Sequence, residues 1–260
     1  MILKQLKSAD LLDCEDFVID NCIFLALTGS VAYGASTDMS DIDIYGLTVP
    51  PLPYIYPSKY GEIDGFGKKL PRWDEYQKHH IPLNDSEYDL KIYSIVKFFQ
   101  LCMQGNPNTI DMLFSPANCV MFINPIMQKI LMKKEIFLSK QCYDRFRGFA
   151  YNHLKSMSHI KEGREKYRKF GYDVKDASHV IRQLLGLIEI LETGDYVLNR
   201  NAEEIIAIRS GKYTLEEMCV YGDRLLYQAE AAKEKSSLSD EPDYNAIRKL
   251  LVDTINEFYY

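Results

Sequence analysis

The chain has 260 residues, a formal net charge of −6 and a hydrophobic fraction of 47%, which suits one large domain or two small ones with a substantial core. The negative charge disfavours broad, nonspecific adhesion to nucleic acid but is compatible with a local basic site. No apolar run approaches the roughly 18 residues of a membrane span, and the first residues lack the layout of a signal peptide. The six cysteines are scattered without a C-x-x-C pair, which argues against a zinc site or a disulfide framework and fits a reducing cytoplasm.

Two short apolar strands are predicted first, over residues 22–28 and 42–49, and a polar segment with a Gly-Ser pair lies between them. A short helical turn is expected to open at this pair. Residues 50–86 are rich in proline and glycine and predict a long irregular loop, which in a compact domain is usually mobile or functional. Residues 88–93 then alternate between apolar and polar side chains, as a third strand does.

Helical periodicity dominates the rest of the chain. The predicted helices cover residues 94–104, 108–114, 125–137, 140–168, 175–191, 201–208, 214–235 and 243–258. Strands therefore come first and helices afterwards, an order that predicts an α+β fold with a helical C-terminal half.

Two aspartates fall on these predicted strands, and a third lies directly before the second strand. Asp41 and Asp43 are two residues apart, so their carboxylates face the same way and repel each other unless a cation lies between them. Asp89 lies on the third strand, which could pair beside the second. Mg²⁺ prefers carboxylate, phosphate and water oxygens, and two ions about 3.5–4 Å apart can clamp both oxygens of an in-line displacement. The alternative is that all three are ordinary turn and strand aspartates.

Gly29 and Ser30 sit at the junction between the first strand and the helical turn. Glycine lets the backbone approach a ligand closely, and the first amides of a helix are unpaired and attract phosphate. The pair would therefore place phosphate donors at the same end of the sheet as Asp41 and Asp43. The alternative is that Gly-Ser marks an ordinary turn.

A basic face is predicted on the helix at residues 175–191. Lys175, His179 and Arg182 are spaced i, i+4 and i+7, which puts them on one side of a helix, where they could grip a triphosphate or a phosphate-bearing acceptor. A solvated helix surface and a packed, hydrogen-bonded histidine are the alternatives. We interpret the pair at 79–80, His-His, as exposed loop residues and not as a metal site.

These residues carry a family likeness. Gly29-Ser30 followed by Ser40-Asp41-Ile42-Asp43 resembles the G-S…D-x-D signature of the DNA polymerase β-like nucleotidyltransferase superfamily, and Asp89 lies where its third carboxylate would fall. Further motifs resemble the predicted-nucleotidyltransferase family associated with RNA-repair polymerases: Tyr33-Gly34, Lys97-Phe98, Asn106-Pro107, Asp111-Met-Leu-Phe114, Lys175-x-x-x-His179-x-x-Arg182, Ile208-Arg-Ser-Gly211 and Glu216-Glu217. The likeness covers roughly residues 25–220.

The resemblance implies a small mixed nucleotidyltransferase sheet with helices, in a catalytic domain at 1–120 and a helical domain at 121–260 that completes the active-site cleft. It implies transfer of a nucleoside monophosphate from a triphosphate such as ATP to a hydroxyl, with release of pyrophosphate. Two Mg²⁺ or Mn²⁺ ions would be the cofactors. The residues implied to bind metal and to be catalytic are Asp41, Asp43 and Asp89, and those implied to bind nucleotide are Gly29, Ser30, Lys175, His179 and Arg182.

The sequence leaves two questions open. The same fold could serve as a non-catalytic nucleotide-binding or regulatory module, although the presence of all three carboxylates is against that interpretation. The acceptor could be an RNA end, a small molecule or a protein hydroxyl. Residues 189–260 carry 15 acidic and 8 basic side chains, which gives no long basic channel for a duplex.

Overall fold

The structure is a computed structural model that describes residues 1–36, 42–56, 71–84, 86–157 and 169–260. Within these ranges one mixed sheet has the strand order β3-β4-β2-β1-β5, and helices predominate in the C-terminal half, as the sequence predicts. The strands are β1 Cys22–Leu27, β2 Ile42–Thr48, β3 Glu75–Leu83, β4 Ser86–Ser94 and β5 Val120–Ile123. The helices are α1 Ile2–Ser8, α2 Phe17–Asp20, α3 Gly29–Ala32, α4 Leu52–Ile55, α5 Ile95–Met103, α6 Pro107–Leu113, α7 Pro125–Leu131, α8 Cys142–Met157, α9 Val174–Thr193, α10 Ala202–Arg209, α11 Leu215–Lys235 and α12 Tyr244–Tyr259. In the described part of the chain, 3₁₀ turns cover Ala117–Cys119 and Lys134–Phe137.

Strand β1 is continuously apolar because both faces of the sheet are covered at its centre. Ile23, Phe24 and Leu25 are completely buried. Strand β2 pairs with β1 in antiparallel orientation and with β4 in parallel orientation. As a result, the first residues of β2 and β4 lie at the same end of the strands as the last residue of β1. The segments that carry the predicted site meet at this end of the sheet.

Three groups of buried residues stabilise the fold. Helices α1 and α2 cover one face of the sheet, with Leu3 and Leu6 completely buried. The other face packs against helices from both halves of the chain in one continuous cluster. A third cluster lies within the helical half, around Val180 and Leu184 of α9. The predicted domain boundary at residues 120/121 falls inside β5, a strand of the sheet, and the two-domain division stays a prediction.

Helix boundaries follow local capping chemistry. The Asp173 side chain accepts hydrogen bonds from the first amides of α9, and Gly194 ends this helix in a left-handed conformation with φ 69°. Thr214 and Glu217 form a capping box at the start of α11. The sequence therefore predicts these ends within one or two residues. No helix in the described ranges is both long and apolar enough to cross a membrane.

The predicted loop at residues 50–86 is wrong in part, because β3 occupies its last third and α4 its beginning. Strand β3 lies at the edge of the sheet, where one face and one side of the ladder meet solvent, so its sequence is polar and tolerates Pro82. The short strand β5 is also absent from the prediction. In the predicted helix at 140–168, the structure describes α8 as far as Met157 and then resumes at residue 169.

Two glycines differ in the space that is available for a side chain, because one lies in the packed sheet and the other on a helix surface. A Cβ on Gly46 would lie 2.7 Å from Leu25 Cδ2, whereas a Cβ on Gly148 of α8 would have no heavy atom within 4 Å. We expect Gly46→Ala to lower the free energy of unfolding by about 1–3 kcal/mol through overpacking. Gly148→Ala should raise it by about 0.8–1 kcal/mol, because alanine is the better helix former. Urea unfolding followed by circular dichroism measures both, and equal destabilisation by the two variants would contradict this description.

Candidate active site

Two of the three predicted carboxylates are neighbours on parallel strands. Asp43 of β2 pairs in register with Asp89 of β4, so both side chains project from the same face of the sheet. Both line a cavity of about 650 Å³ between the sheet and the helical half. Asp41 lies outside the residues that the structure describes.

The Gly-Ser turn follows β1 at the same end of the sheet. The Thr28 amide donates to the Asp43 carbonyl oxygen at 2.8 Å, which fixes the start of the turn against β2. Gly29 has φ 59°, and a Cβ at this position would collide with Asp43 Oδ2. Only glycine therefore allows the backbone to lie this close to the carboxylate. Ser30 is half-buried and also lines the cavity.

The opposite wall of the cavity is formed by the helical half and carries positive charge. It includes the three residues predicted as a basic face, Lys175, His179 and Arg182, which the structure does bring to the cavity. Lys175 is exposed, His179 is partly buried and Arg182 is buried, so the three side chains have different environments. The other residues that line the cavity are Thr28, Gly29, Tyr33, Tyr45, Asn108, Asp111, Phe149, His153, Val174, Gln183 and Arg209.

His179 is not a cation near neutral pH. Burial, together with the positive charges of Arg182, Lys175 and Arg209, lowers its pKa to about 3. Its ring stacks on that of His153 from α8, with the centroids 5.3 Å apart. His179 therefore presents a neutral imidazole that can donate or accept a hydrogen bond, and the positive charge of this wall belongs to its neighbours.

Arg182 is held in place by two other residues that line the cavity. Its side chain is 6% exposed, and its Nη1 donates to Asp111 Oδ2 at 3.0 Å. The Tyr33 hydroxyl donates to the same oxygen at 2.6 Å, and the guanidinium carbon lies 3.8 Å from the centroid of the Tyr33 ring. Burial alone would lower the pKa of Arg182, but Tyr33 and Asp111 outweigh it and hold the pKa above its ordinary value. The charge is therefore retained although water has little access to it.

Arg209 is a cavity residue that the candidate list from the sequence lacks. Its Nη1 donates to the carbonyl oxygen of Ala35 at 2.8 Å, which attaches the end of α10 to the segment after α3. Burial and the nearby Arg182 lower the pKa of Arg209, and Asp43 opposes this shift. The only sequence signal was its place in the run Ile208–Gly211 of the family likeness.

Asp89 is hydrogen-bonded to the strand that the sequence did not predict. His79 Nδ1 lies 2.9 Å from Asp89 Oδ2, and the backbone amide of His80 donates to Asp89 Oδ1 at 2.9 Å. Burial raises the pKa of Asp89, but these hydrogen bonds together outweigh burial and lower its pKa below the usual value. The interpretation of His79 and His80 as loop residues is therefore wrong, since both lie on β3 beside a candidate site residue.

The carboxylate pair offers oxygen ligands of the kind that Mg²⁺ prefers. Carboxylate oxygens are what Mg²⁺ takes from a protein, and it usually takes one or two of them beside phosphate and water. The glycine at position 29 leaves the space beside Asp43 that a Cβ would fill. Within the described ranges, no three His, Cys, Asp or Glu side chains are grouped closely enough to hold a metal, and Asp41 lies outside those ranges.

The mixed sheet, with Gly-Ser after β1 and carboxylates on the adjacent parallel strands β2 and β4, matches the nucleotidyltransferase fold of the DNA polymerase β-like class. The model of the RNA repair pathway DNA polymerase beta family, RlaP, matches residues 4–253, and the chain belongs to this family. No curated protein matches the chain.

Two solved structures are similar over nearly all of this chain, each at 14% sequence identity and a TM-score of 0.34. One is a nucleotidyltransferase-like protein from Exiguobacterium sibiricum 255-15, with 98% of this chain and 78% of that chain covered. The other is spectinomycin adenyltransferase AAD(9) from Enterococcus faecialis, with 99% of each chain covered, in a structure with ATP and spectinomycin.

The neutral state of His179 predicts a pH dependence of stability. Its pKa of about 3 in the folded chain lies below the unfolded value of about 6.5, so only the unfolded chain gains this proton as the pH falls. Stability from this residue is therefore complete above about pH 6.5 and decreases toward pH 3 by up to about 1.4 kcal/mol per pH unit. We expect His179→Gln to show a smaller decrease than wild type in urea unfolding between about pH 7 and pH 4. Parallel pH profiles would contradict the assignment.

The anchor of Arg182 predicts a large effect of a small change. Asp111→Asn keeps the shape of the side chain but leaves a buried arginine without its counter-ion, which should cost about 3–5 kcal/mol of unfolding free energy. Asp253→Asn is the matched control, because that carboxylate is exposed and pairs with Lys249 one turn away on α12. Its loss should cost less than about 0.5 kcal/mol. Similar denaturant midpoints for the two variants would show that the buried pair contributes little.

Proposed function

We propose that this chain transfers a nucleoside monophosphate from a nucleoside triphosphate to a hydroxyl acceptor and releases pyrophosphate. The observation that carries the proposal is the in-register pairing of Asp43 with Asp89 beside the Gly29-Ser30 turn, in a cavity whose far wall holds Lys175 and arginines. Negative charge to hold cations and positive charge to hold phosphates therefore face each other across one space. Membership of a DNA polymerase beta family supports the same reaction class.

Asp41, Asp43 and Asp89 are the residues that would hold two Mg²⁺ or Mn²⁺ ions. When bound, such ions neutralise phosphate charge and orient the reacting oxygens. Asp89 would also accept the proton of the acceptor hydroxyl. The oxygen of that hydroxyl would form the new bond to the α-phosphorus while the bond from phosphorus to pyrophosphate breaks. Asp89 is ionised at neutral pH and so can accept a proton, and its lowered pKa makes it a weaker base than an ordinary aspartate.

The triphosphate would be held by Gly29 and Ser30 on one side and by Lys175 and His179 on the other. Lys175 is exposed and can reach a phosphate as a mobile cation, while His179 can offer a neutral N–H. Arg182 would add positive charge from the wall without moving, because Asp111 and Tyr33 hold it. Catalysis of this kind consists mainly of positioning and charge stabilisation.

The acceptor in this proposal is first of all an RNA end, because the family description names an RNA repair pathway. A small alcohol and a protein hydroxyl are the other candidates. ATP is the donor that we would test first. The experiment below identifies donor and acceptor together.

The experiment offers each α-labelled triphosphate, with Mg²⁺ or Mn²⁺, to RNA ends, tRNA, proteins and small alcohols, and follows label transfer and pyrophosphate release. We expect Asp43→Asn and Asp89→Asn to reduce transfer on the order of 100- to 1,000-fold while circular dichroism stays unchanged. Asp253→Asn, outside the cavity, should leave transfer unaltered. Full activity in both site variants would refute the assignment, and tight nucleotide binding without pyrophosphate release would favour a non-catalytic module.

A further inference from the structure

The edge strand β3 is irregular at the position where it passes Asp89. Its register with β4 shifts between Lys78 and Ile81, which is a β-bulge. Two β3 residues, His79 and His80, therefore oppose the single β4 residue Asp89. His80 adopts a left-handed conformation with φ 54°, which is uncommon outside glycine. The positive φ of His80 and the interrupted pairing with β4 occur at the same point of β3. We therefore expect a local interaction that stabilises them.

The bulge directs one hydrogen-bond donor at each oxygen of the Asp89 carboxylate. The amide of His80 reaches Oδ1 and Nδ1 of His79 reaches Oδ2, both at 2.9 Å. An ionised carboxylate only accepts, so the imidazole proton is on Nδ1. The side-chain amide of Gln77 lies 2.5 Å from Nε2 of His79 and can donate to it, which favours the same tautomer.

These contacts leave room for a ligand on Asp89. Each carboxylate oxygen has two lone-pair sites, and β3 occupies one on each oxygen, while Asp89 also lines the cavity that it shares with Asp43. Hydrogen bonds behind a metal-binding carboxylate fix its rotamer and are typical of protein metal sites. Stability alone gives little reason for the His79–Asp89 contact, because the His79 side chain is 51% exposed and exposed polar pairs contribute little to stability.

We propose that the β3 bulge is part of the candidate metal site, and that His79 and the backbone amide of His80 are positioning groups that orient Asp89 toward a divalent cation. This inference rests on the proposed function, since it requires Asp89 to bind metal. It gives a role to two residues of β3, a strand that the sequence did not predict. The ring of His79 orients Asp89, whereas His80 acts only through its main-chain amide.

The two histidines provide matched variants. His79→Phe removes the donor and keeps a ring, whereas His79→Asn restores an N–H near the position of Nδ1. His80→Gly keeps the amide, suits the positive φ and removes only the imidazole, which pairs with Glu87 at 2.6 Å. Circular dichroism and thermal unfolding of the full chain verify that each variant is folded.

The test measures Mn²⁺ affinity by electron paramagnetic resonance of the free ion, first with Mn²⁺ alone and then with α,β-methylene-ATP present. We expect His79→Phe to weaken binding about 10- to 100-fold, His79→Asn to recover most of the loss, and His80→Gly to match wild type within about two-fold. Asp89→Asn marks the loss of the ligand itself.

The outcomes separate this inference from the proposed function. Normal Mn²⁺ binding by His79→Phe, together with weakened binding by Asp89→Asn, would overturn the role of the bulge and leave the metal site standing. A loss in His80→Gly equal to that in His79→Phe would overturn the division between ring and main chain. Unchanged binding in Asp89→Asn, or no binding by wild type under either condition, would overturn the metal site and the inference with it.

Discussion

The buried contact of Arg182 with Asp111 and Tyr33 joins the helical half of the chain to helices that pack on the sheet. Arg182 comes from α9, Asp111 from α6 and Tyr33 from the end of the turn after β1. Moving these charges out of water is costly, and the cost is offset by a short ion pair, a hydroxyl donor and an aromatic face. All three residues line the cavity, so this contact holds α9 against α6 and the end of α3 at the cavity wall.

The cavity places basic side chains opposite two carboxylates that repel each other. Asp43 and Asp89 are held side by side by parallel pairing, and two carboxylates on adjacent strands repel each other. Lys175, Arg182 and Arg209 face them from the helical half, and His179 stays neutral among these cations. Such a cluster of charges is weak evidence for stability, because bringing charges out of water costs free energy that their attraction only partly repays. The arrangement is explained if the separated charges serve a ligand that carries both phosphates and cations.

Strand β3 connects the periphery of the sheet to this site. Edge strands are commonly protected by charge, proline and bulges, and β3 has all three. Here the bulge lies opposite Asp89, so the irregularity that protects the edge also supplies two donors to a carboxylate in the cavity. Because β3 lies at the edge of the sheet, its sequence is polar, and this is why the sequence predicts a loop there.

The sequence by itself determined the elements whose signals are local. The apolar runs give β1 and β2, caps such as Asp173 and Gly194 give the helix ends, and Gly29-Ser30 with the aspartates gives the family likeness. The partners of these residues depended on the tertiary structure, because an edge strand has no apolar alternation and burial is set by distant packing. Only folding decided that β3 pairs beside Asp89, that Arg182 is enclosed with Asp111 while Lys175 stays exposed, and that Arg209 enters the cavity.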